Sequence, residues 1–574
     1  MAYRDLQSFL KKLESIGELK KINIQVSPEL EMTEIADRVS KTHGPALLFQ
    51  DATDSKYPVV MNAMGSYKRM SLALGVENLD DIGEEIQAYL NLENYLSIRG
   101  LWKSIPRLLR LLHVFPIKVP GRGSCQEVIE HNPDLSTLPV LKCWPKDAGR
   151  FFTLPLVFTK EADSKKQNIG MYRMQILDKT STGMHWHKHK DGSNIYESYA
   201  KKGQRMPVSV ALGCDPAITY AATAPLPKEI DEMMLAGWLR KSNVKMVKCV
   251  TNEIYVPAHA EFVLEGYVDP GEELVWEGPF GDHTGYYSLA DYYPRFHVTC
   301  ITHKKNPIYP ATVVGKPPME DCYMAKATER IFLPILRMQI PELVDLNLPL
   351  EGVFHNCAIL SIKNRYPGAA RKVMNAVWGM GQMMYTKLII IVDESIDIQN
   401  LSSVKDAVLK NVSGKESLFF CEGPLDALDH SSAKALYGCR LGVDATSQGK
   451  TKEDGVENTF AVITIDKKKD YQGRNAVEEY MKNHADKFVI CVEDSVDPKD
   501  MSTVMWKVFN NIDAQRDIII QGNKIGIDAT KKLTGEGITR EWPDDITMTD
   551  DVKQAVEERW SKYGIDEILS EDYK

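Results

Sequence analysis

The sequence predicts an α+β protein of several domains, and three observations carry that expectation. At 574 residues the chain exceeds what one hydrophobic core holds, and length alone suggests about three or four domains. Its apolar periodicity changes along the chain, from helical spacing to short strand-like runs between turn signals. The last third also repeats itself at an interval of one hundred residues, Lys387–Asp397 recurring as Lys487–Asp497.

The elements follow in order. Leu6, Phe9, Leu10, Leu13 and Ile16 recur at helical spacing and stop at Gly17. Leu19–Val26, a helix over Glu29–Lys41, and runs at Ala46–Phe49 and Val59–Met61 complete a small N-terminal α/β unit over 1–118. A helical stretch over 86–113 leads to the Pro116–Gly121 punctuation that ends it. From 119 to 330 the strand-like runs are Leu154–Phe158, Gly170–Leu177, Val208–Leu212, Lys245–Val250, Phe262–Tyr267 and Arg295–Thr302, a spacing that favours an antiparallel sheet or barrel. One helix, Lys228–Arg240, interrupts them with Ile230, Met233, Met234 and Leu239 inward. The repeat then divides the rest into an α/β module over 331–452 and its second copy, with a C-terminal helix, over 453–574. Ala358–Lys363 matches Ala461–Asp466, and Gly442–Thr446 matches Gly526–Thr530, so each copy reads strand-helix-strand-helix in a right-handed βαβ arrangement.

Composition narrows the function. A net charge of −9 with no compensating basic run argues against a nucleic-acid partner. Ten scattered cysteines without a C-x-x-C pair suggest neither zinc nor a disulfide framework, and fit reduced thiols in a cytoplasm. Met1–Lys21 carries charges throughout, unlike a secretory signal, and no apolar run reaches a membrane span of about 18 residues.

Four stretches could carry chemistry. In Glu277-Gly-Pro-Phe-Gly-Asp-His-Thr-Gly-Tyr-Tyr287 two acids, Glu277 and Asp282, share a turn built from Gly and Pro and walled by aromatic rings. A carboxylate there loses water, titrates higher and can donate a proton, unless the turn is framework and its acids merely accept backbone hydrogen bonds. Asn168–Arg173 enters a strand, with Asn168 just before it; an inward Arg173 needs an acid or an anionic ligand. His185-Trp-His-Lys-His-Lys-Asp191 is a ribbon ending in a turn, whose three histidines share one face if extended, for metal or phosphate contact or as an exposed hairpin. Glu229 and Glu232 open the helix, where the dipole alone explains them unless a cation takes Glu232 together with Asn168. Gly379-Met-Gly381 lacks the third glycine of a dinucleotide loop, and neither a phosphate-binding P-loop nor a G-x-S-x-G elbow occurs.

Together, Asn168–Arg173, Gly183–His187, Glu232 and Glu277–Tyr287 resemble the UbiD family of prenylated-flavin decarboxylases, with Gly315-Lys-Pro-Pro318, Glu329–Pro334, Tyr385-Thr-Lys387 and Arg540-Glu-Trp-Pro543 in agreement. The resemblance covers nearly the whole chain and points to the 4-hydroxy-3-polyprenylbenzoate carboxy-lyases of quinone biosynthesis. It implies a central split β-barrel holding prenylated FMN, with a divalent metal, usually manganese, and potassium at the phosphate. Carried over by motif, Asn168 and Glu232 are metal ligands with His189 as a third. Met171, Tyr172, Arg173, His185, Trp186, His187, Lys190 and Asp191 hold the cofactor, which Lys387 reaches from the C-terminal domain. Arg173, Glu277 and Asp282 form the catalytic triad, with Asp282, raised by a dry pocket and the Glu277 charge, returning the proton after carbon dioxide leaves.

The resemblance further implies a small carboxylic acid substrate, cofactor supplied by a flavin prenyltransferase, a dimer or hexamer, and peripheral membrane contact if the substrate is polyprenylated. Two features depart from the family. Many members have Glu where this chain has Asp282, and the second copy replaces Tyr385-Thr386-Lys387 by Ala485-Asp486-Lys487, so the cofactor lysine belongs to the first copy. The rival readings are a flavin reductase or carrier on the same barrel, which needs no acid pair, and a degenerate assembly subunit.

Overall fold

The computed structural model describes residues 3–91, 98–164, 166–186, 191–226, 230–447 and 457–565. They fold as two compact units: Met1–Gly315, Met319–Met324 and Asp545–Lys574 form one, Lys316–Pro318 and Ala325–Asp544 the other.

The first unit begins with a helix, Leu6–Ser15, whose start is fixed by a reciprocal cap between Asp5 and Ser8 and whose buried stripe is Leu6, Phe9, Leu10 and Leu13. Leu19–Val26 pairs in parallel with Ala46–Ala52, which pairs antiparallel with Val59–Met61. Tyr309–Pro310 joins as the fourth strand. Over this sheet the helix Glu31–Lys41 buries Met32, Ile35, Ala36 and Val39. The helix Asp550–Tyr563 packs on it, with Tyr563 Oη donating to Glu31 at 2.8 Å and Arg559 and Arg38 pairing with Glu31 and Glu557.

The rest of the unit is built on a nine-stranded sheet in which every pairing is antiparallel. Its order runs from Phe151–Phe152 through Met174–Asp178, Ser181–Gly183, Arg295–His303, Phe262–Val268, Met206–Leu212 and Leu156–Lys160 to Gln167–Met171. Gln167–Met171 and Met174–Asp178 stand six places apart, which in a flat sheet would be about 29 Å. Three residues of chain, Met171 to Met174, span at most about 11 Å. The sheet must therefore curl until its ends approach, and Tyr172 and Arg173 bridge the gap.

This closure corrects the expectation of one strand over Gly170–Leu177, because the chain leaves one edge and enters the other at Tyr172-Arg173. It also places Asn168 inside a strand, paired with Thr159, rather than before it. Lys245–Lys248 belongs to a separate three-stranded sheet with Ile117–Lys118 and Tyr255–Pro257. The expected helix over 86–113 is observed as Asp80–Leu90 and Ile98–Arg110. The later helix starts at Glu232, capped by Asp231, so Ile230 precedes it and is exposed.

The second unit contains two sheets. The first runs Leu343–Asn347, Cys357–Ile362, Leu388–Asp393, Tyr437–Asp444, Leu418–Pro424, with a parallel centre and antiparallel edges. The second, Glu457–Ile465, Asp486–Glu493, Lys524–Asp528, Ile518–Gln521, repeats the last four places of that order: two parallel pairings, then an antiparallel one. Strand alternation sends side chains two ways. Ile389 and Ile391 pack with Val373, Met374 and Val377 of the helix Ala369–Trp378, while Val489 and Cys491 pack with Val477 and Met481 of the helix Gln472–Asn483. The opposite faces, carrying Leu388 and Val392 in one sheet and Ile490 and Val492 in the other, share one core with the helices Leu401–Asn411 and Met501–Asn511.

Candidate active site

Arg173, at the seam where the curled sheet changes edges, is the hub of the site. Its guanidinium donates through Nε to Glu277 at 3.1 Å, through Nη1 to Asp282 and through Nη2 to Ser288 at 2.9 Å. One face of the ion lies over the Phe280 ring, 4.6 Å from its centroid. Glu277 ends the strand Val275–Glu277 and is 1% exposed; Phe280–Gly281 pairs with Tyr287–Ser288, and Asp282 begins the turn between them. A single arginine thus gathers three oxygen acceptors and an aromatic wall from one twelve-residue stretch.

Two groups from elsewhere hold that stretch in place. Gln175 accepts from the Gly278 N–H at 2.8 Å, and Asp147 accepts from Gly281 at 2.7 Å, Trp144 at 2.9 Å and Cys143 at 3.1 Å. Gly278 has φ of +93°, and a Cβ there would stand 3.1 Å from the Ala290 Cα, so glycine is required on both counts. On the far side His185 donates from Nδ1 to Glu277, and its ring lies 4.3 Å from that of Tyr293.

The electrostatics correct one expectation. Burial pushes Asp282 up, but the Arg173 charge and hydrogen bonds from His283 outweigh it, holding the carboxyl well below its ordinary value instead of raised. Burial likewise pushes Glu277 up, but the Arg173 charge and the His185 hydrogen bond outweigh it and hold the carboxyl lowered. Burial and the Arg173 charge pull His185 down, which keeps it neutral near pH 7. A raised acid of this neighbourhood is Asp147, which burial pushes up to about 7.

A second cluster lies around the strand Gln167–Met171. Asn168, Asp191 and Glu232 line one cavity of about 260 Å³. Glu232 accepts from the Ile169 N–H at 3.3 Å, and burial pushes its carboxyl up to about 7. Asp191 opens the twelve-residue helix Asp191–Lys202, rather than ending a turn. Tyr172 packs edge-on to Trp186, with ring centroids 6.5 Å apart. The Trp186 indole N–H is buried with no hydrogen-bond partner among the described residues, and a Cβ on Gly192 would meet it at 2.7 Å. Met171 ends its strand, half-buried.

An unpaired indole donor beside a helix N-terminus fits an anionic oxygen such as a flavin phosphate. Two nearby acids would repel that anion unless a cation stood between them. Asn168 and Glu232 both carry side-chain oxygens, the donor type such a cation takes, and line the same cavity, but no group of three or more His, Cys, Asp or Glu suited to a metal occurs among the described residues. His187, His189 and Lys190 lie outside the described residues. In the second unit Lys387 is buried, its ammonium held by Asp429 at 2.7 Å, Ser431 at 2.7 Å and the Asn510 carbonyl at 2.9 Å.

Sequence reading missed Asp147, Gln175, Ser288 and Tyr293. Ser288, Tyr293 and Gln175 lie near motifs, and Gln175 follows Arg173 by two residues without advertising its role. Asp147 sits in Trp144-Pro-Lys-Asp147, a turn signal that gives no hint of a partner at Gly281.

Family models for the 3-octaprenyl-4-hydroxybenzoate carboxy-lyase match along the chain. The N-terminal domain matches 10–86, the Rift-related domain 118–317, and the C-terminal domain two stretches, 322–445 and 450–534. The chain belongs to the UbiD family. An uncharacterised protein of Archaeoglobus fulgidus is 49% identical over 469 residues, covering 81% of this chain and 96% of its own. An uncharacterised protein of Helicobacter pylori strain J99 is 38% identical, covering 95% of each chain. Among solved structures, the vanillic acid decarboxylase of Sedimentibacter hydroxybenzoicus in its open form has a TM-score of 0.68 at 26% identity, covering 84% of this chain and 100% of that one. The UbiD-class enzyme HmfF of Pelotomaculum thermopropionicum, in complex with FMN, shares the fold with a TM-score of 0.68 at 24% identity, covering 79% and 98%. The α+β multidomain fold with its curled half-barrel sheet is that of UbiD-class enzymes, and family membership supports a flavin-using carboxy-lyase.

Proposed function

We propose that the chain is a non-oxidative decarboxylase that uses prenylated FMN on an aromatic or α,β-unsaturated carboxylic acid, a 4-hydroxy-3-polyprenylbenzoate-type quinone precursor fitting best. The observation that carries the reading is the buried arginine held between two acids, a device that a flavin reductase or carrier does not need. When bound, prenylated FMN supplies an electrophilic centre for the carbon that loses its carboxylate. Asn168 and Glu232, with His189, would hold a divalent metal such as manganese, alongside potassium. Trp186, Tyr172, Met171, His185, His187, Lys190 and Asp191 would seat the flavin, and Lys387 remains the family's cofactor lysine by motif. A dimer or hexamer, and a prenyltransferase supplying the cofactor, belong to the same reading.

The chain's own residues suggest a sequence of events. A substrate carboxylate entering beside Arg173 competes for the guanidinium with Asp282, whose depressed pKa depends on that contact. Once the arginine turns to substrate, burial acts on Asp282 against the His283 hydrogen bonds alone, its pKa rises, and its carboxyl takes up a proton. After carbon dioxide leaves, Asp282 returns that proton to carbon, while neutral His185 keeps Glu277 oriented. Turnover of a panel of aromatic and unsaturated acids by protein matured with the prenyltransferase, against protein loaded with FMN, tests the proposal. Activity only with the mature cofactor is expected; equal activity with FMN, or none with either, sinks it.

A further inference from the structure

The core shared by the two repeated modules of the second unit leaves a cleft of about 410 Å³ that opens to solvent at one side. Facing strands supply Leu388 and Leu441 from one sheet and Ile490 and Ile525 from the other. The equivalent helices Leu401–Asn411 and Met501–Asn511 add Val408 and Met505. The space exists because the two copies turn like faces toward each other; either sheet alone would present an open apolar surface. The walls named offer water no polar partner, and the polar lining residues are limited to Glu351, Ser402, Lys405 and Ser502, so the deep part of the cleft favours a hydrocarbon. A cavity of about 150 Å³ takes one benzene ring, and by that scale this one takes a chain of about sixteen carbons.

Polar groups stand at its edge. Glu351 accepts a hydrogen bond from Ser502 at 3.1 Å, which engages the acid. Lys405 is exposed, with its ammonium 6.0 Å from the Phe460 ring centroid. Among the described lining residues the edge therefore offers one cation, Lys405, beside aromatic surface, complementary to a terminal anion. We propose that this cavity binds a linear amphiphile, a hydrocarbon chain ending in a carboxylate, with the chain between the two modules and the carboxylate at Lys405. The site is independent of the Arg173 turn and of the reading built on it.

Hexadecanoate is the probe, titrated into the full-length protein below its micellar concentration and followed by displacement of 1-anilinonaphthalene-8-sulfonate. Saturation at one molecule per chain is expected. Val408→Phe should weaken hexadecanoate at least tenfold, because the ring occupies the chain's volume. Lys405→Ala should weaken hexadecanoate on the order of tenfold, a difference of about 1.4 kcal/mol, while leaving 1-hexadecanol within twofold. The absence of saturable binding, or binding indifferent to both substitutions, overturns the proposal. So does a change in oligomeric state on Val408→Phe without hexadecanoate binding, which would make the cavity an interface between copies. If Val408→Phe does not fold, a photoreactive diazirine analogue of hexadecanoate decides: labelling within 401–409 or 501–512 supports the site, and labelling elsewhere overturns it.

Discussion

Arg173 holds Glu277, Asp282 and Ser288 at once, so changing any acceptor alters the charge balance felt by the rest. Asp282→Asn keeps the size of the side chain and an acceptor for Arg173 but removes the proton; turnover should fall about 10²- to 10⁴-fold with the flavin still bound. Decarboxylation rate and flavin absorbance, measured on the same preparation, check this, and near-native turnover would move the proton to Glu277. Asp147 supports a prediction of opposite sign. Its folded pKa, about 7, exceeds the ordinary 3.8, so its contribution to stability is full below pH 4 and is lost as pH rises to about 7. Depressed Glu277 and Asp282 contribute above pH 4 and lose that contribution in acid. Thermal melts from pH 4 to 8 should show a downward slope that Asp147→Asn flattens, and an unchanged slope would refute the assignment. Motif spacing made Arg173, Glu277 and Asp282 legible in the sequence, since all three stand in Gly- and aromatic-rich stretches. The charge state of Asp282 was not legible, because it depends on a guanidinium 109 residues away.

At the scale of the element, two local devices present the acids. Asp231 caps the helix that begins with Glu232, accepting from the Met233 N–H at 2.8 Å. Asp231→Ala should cost about 1 kcal/mol of stability and loosen Glu232, read as a lower melting temperature and a lower metal content after reconstitution. Gly278→Ala, forced into φ of +93° against Ala290, should cost more than a surface change and displace the Glu277 end of the turn, with turnover falling further than the melting temperature suggests. Helix positions were readable from apolar spacing, as Leu6–Ser15 and Glu31–Lys41 show. The strand over Gly170–Leu177 was misread because its composition continues unbroken across Tyr172-Arg173, while the change of edge is set by partners distant in sequence. Tertiary closure overrides local propensity there.

Across the whole molecule, the repeat was visible because two copies keep their apolar strand cores, Leu388–Asp393 and Asp486–Glu493, nearly residue for residue. The partners of the C-terminal helix were not, since nothing in Asp550–Tyr563 names Glu31 or Arg38. Its removal should be felt at the other end of the sequence. A chain ending at Asp544 should leave Glu31 and Arg38 without Arg559, Tyr563 and Glu557, remove Val556 and Tyr563 from the core of the first unit, melt that unit at lower temperature, and show faster amide exchange across Leu19–Val26 and Glu31–Lys41; unchanged exchange there would count against the packing. That arrangement also sets a schedule for synthesis. Ala325–Asp544 spans 220 residues, about 11 to 44 s of translation at 5 to 20 residues per second, and during that interval the first unit waits on the ribosome with its helix Glu31–Lys41 uncovered. A chaperone that shelters apolar helices on nascent chains would have its longest opportunity there.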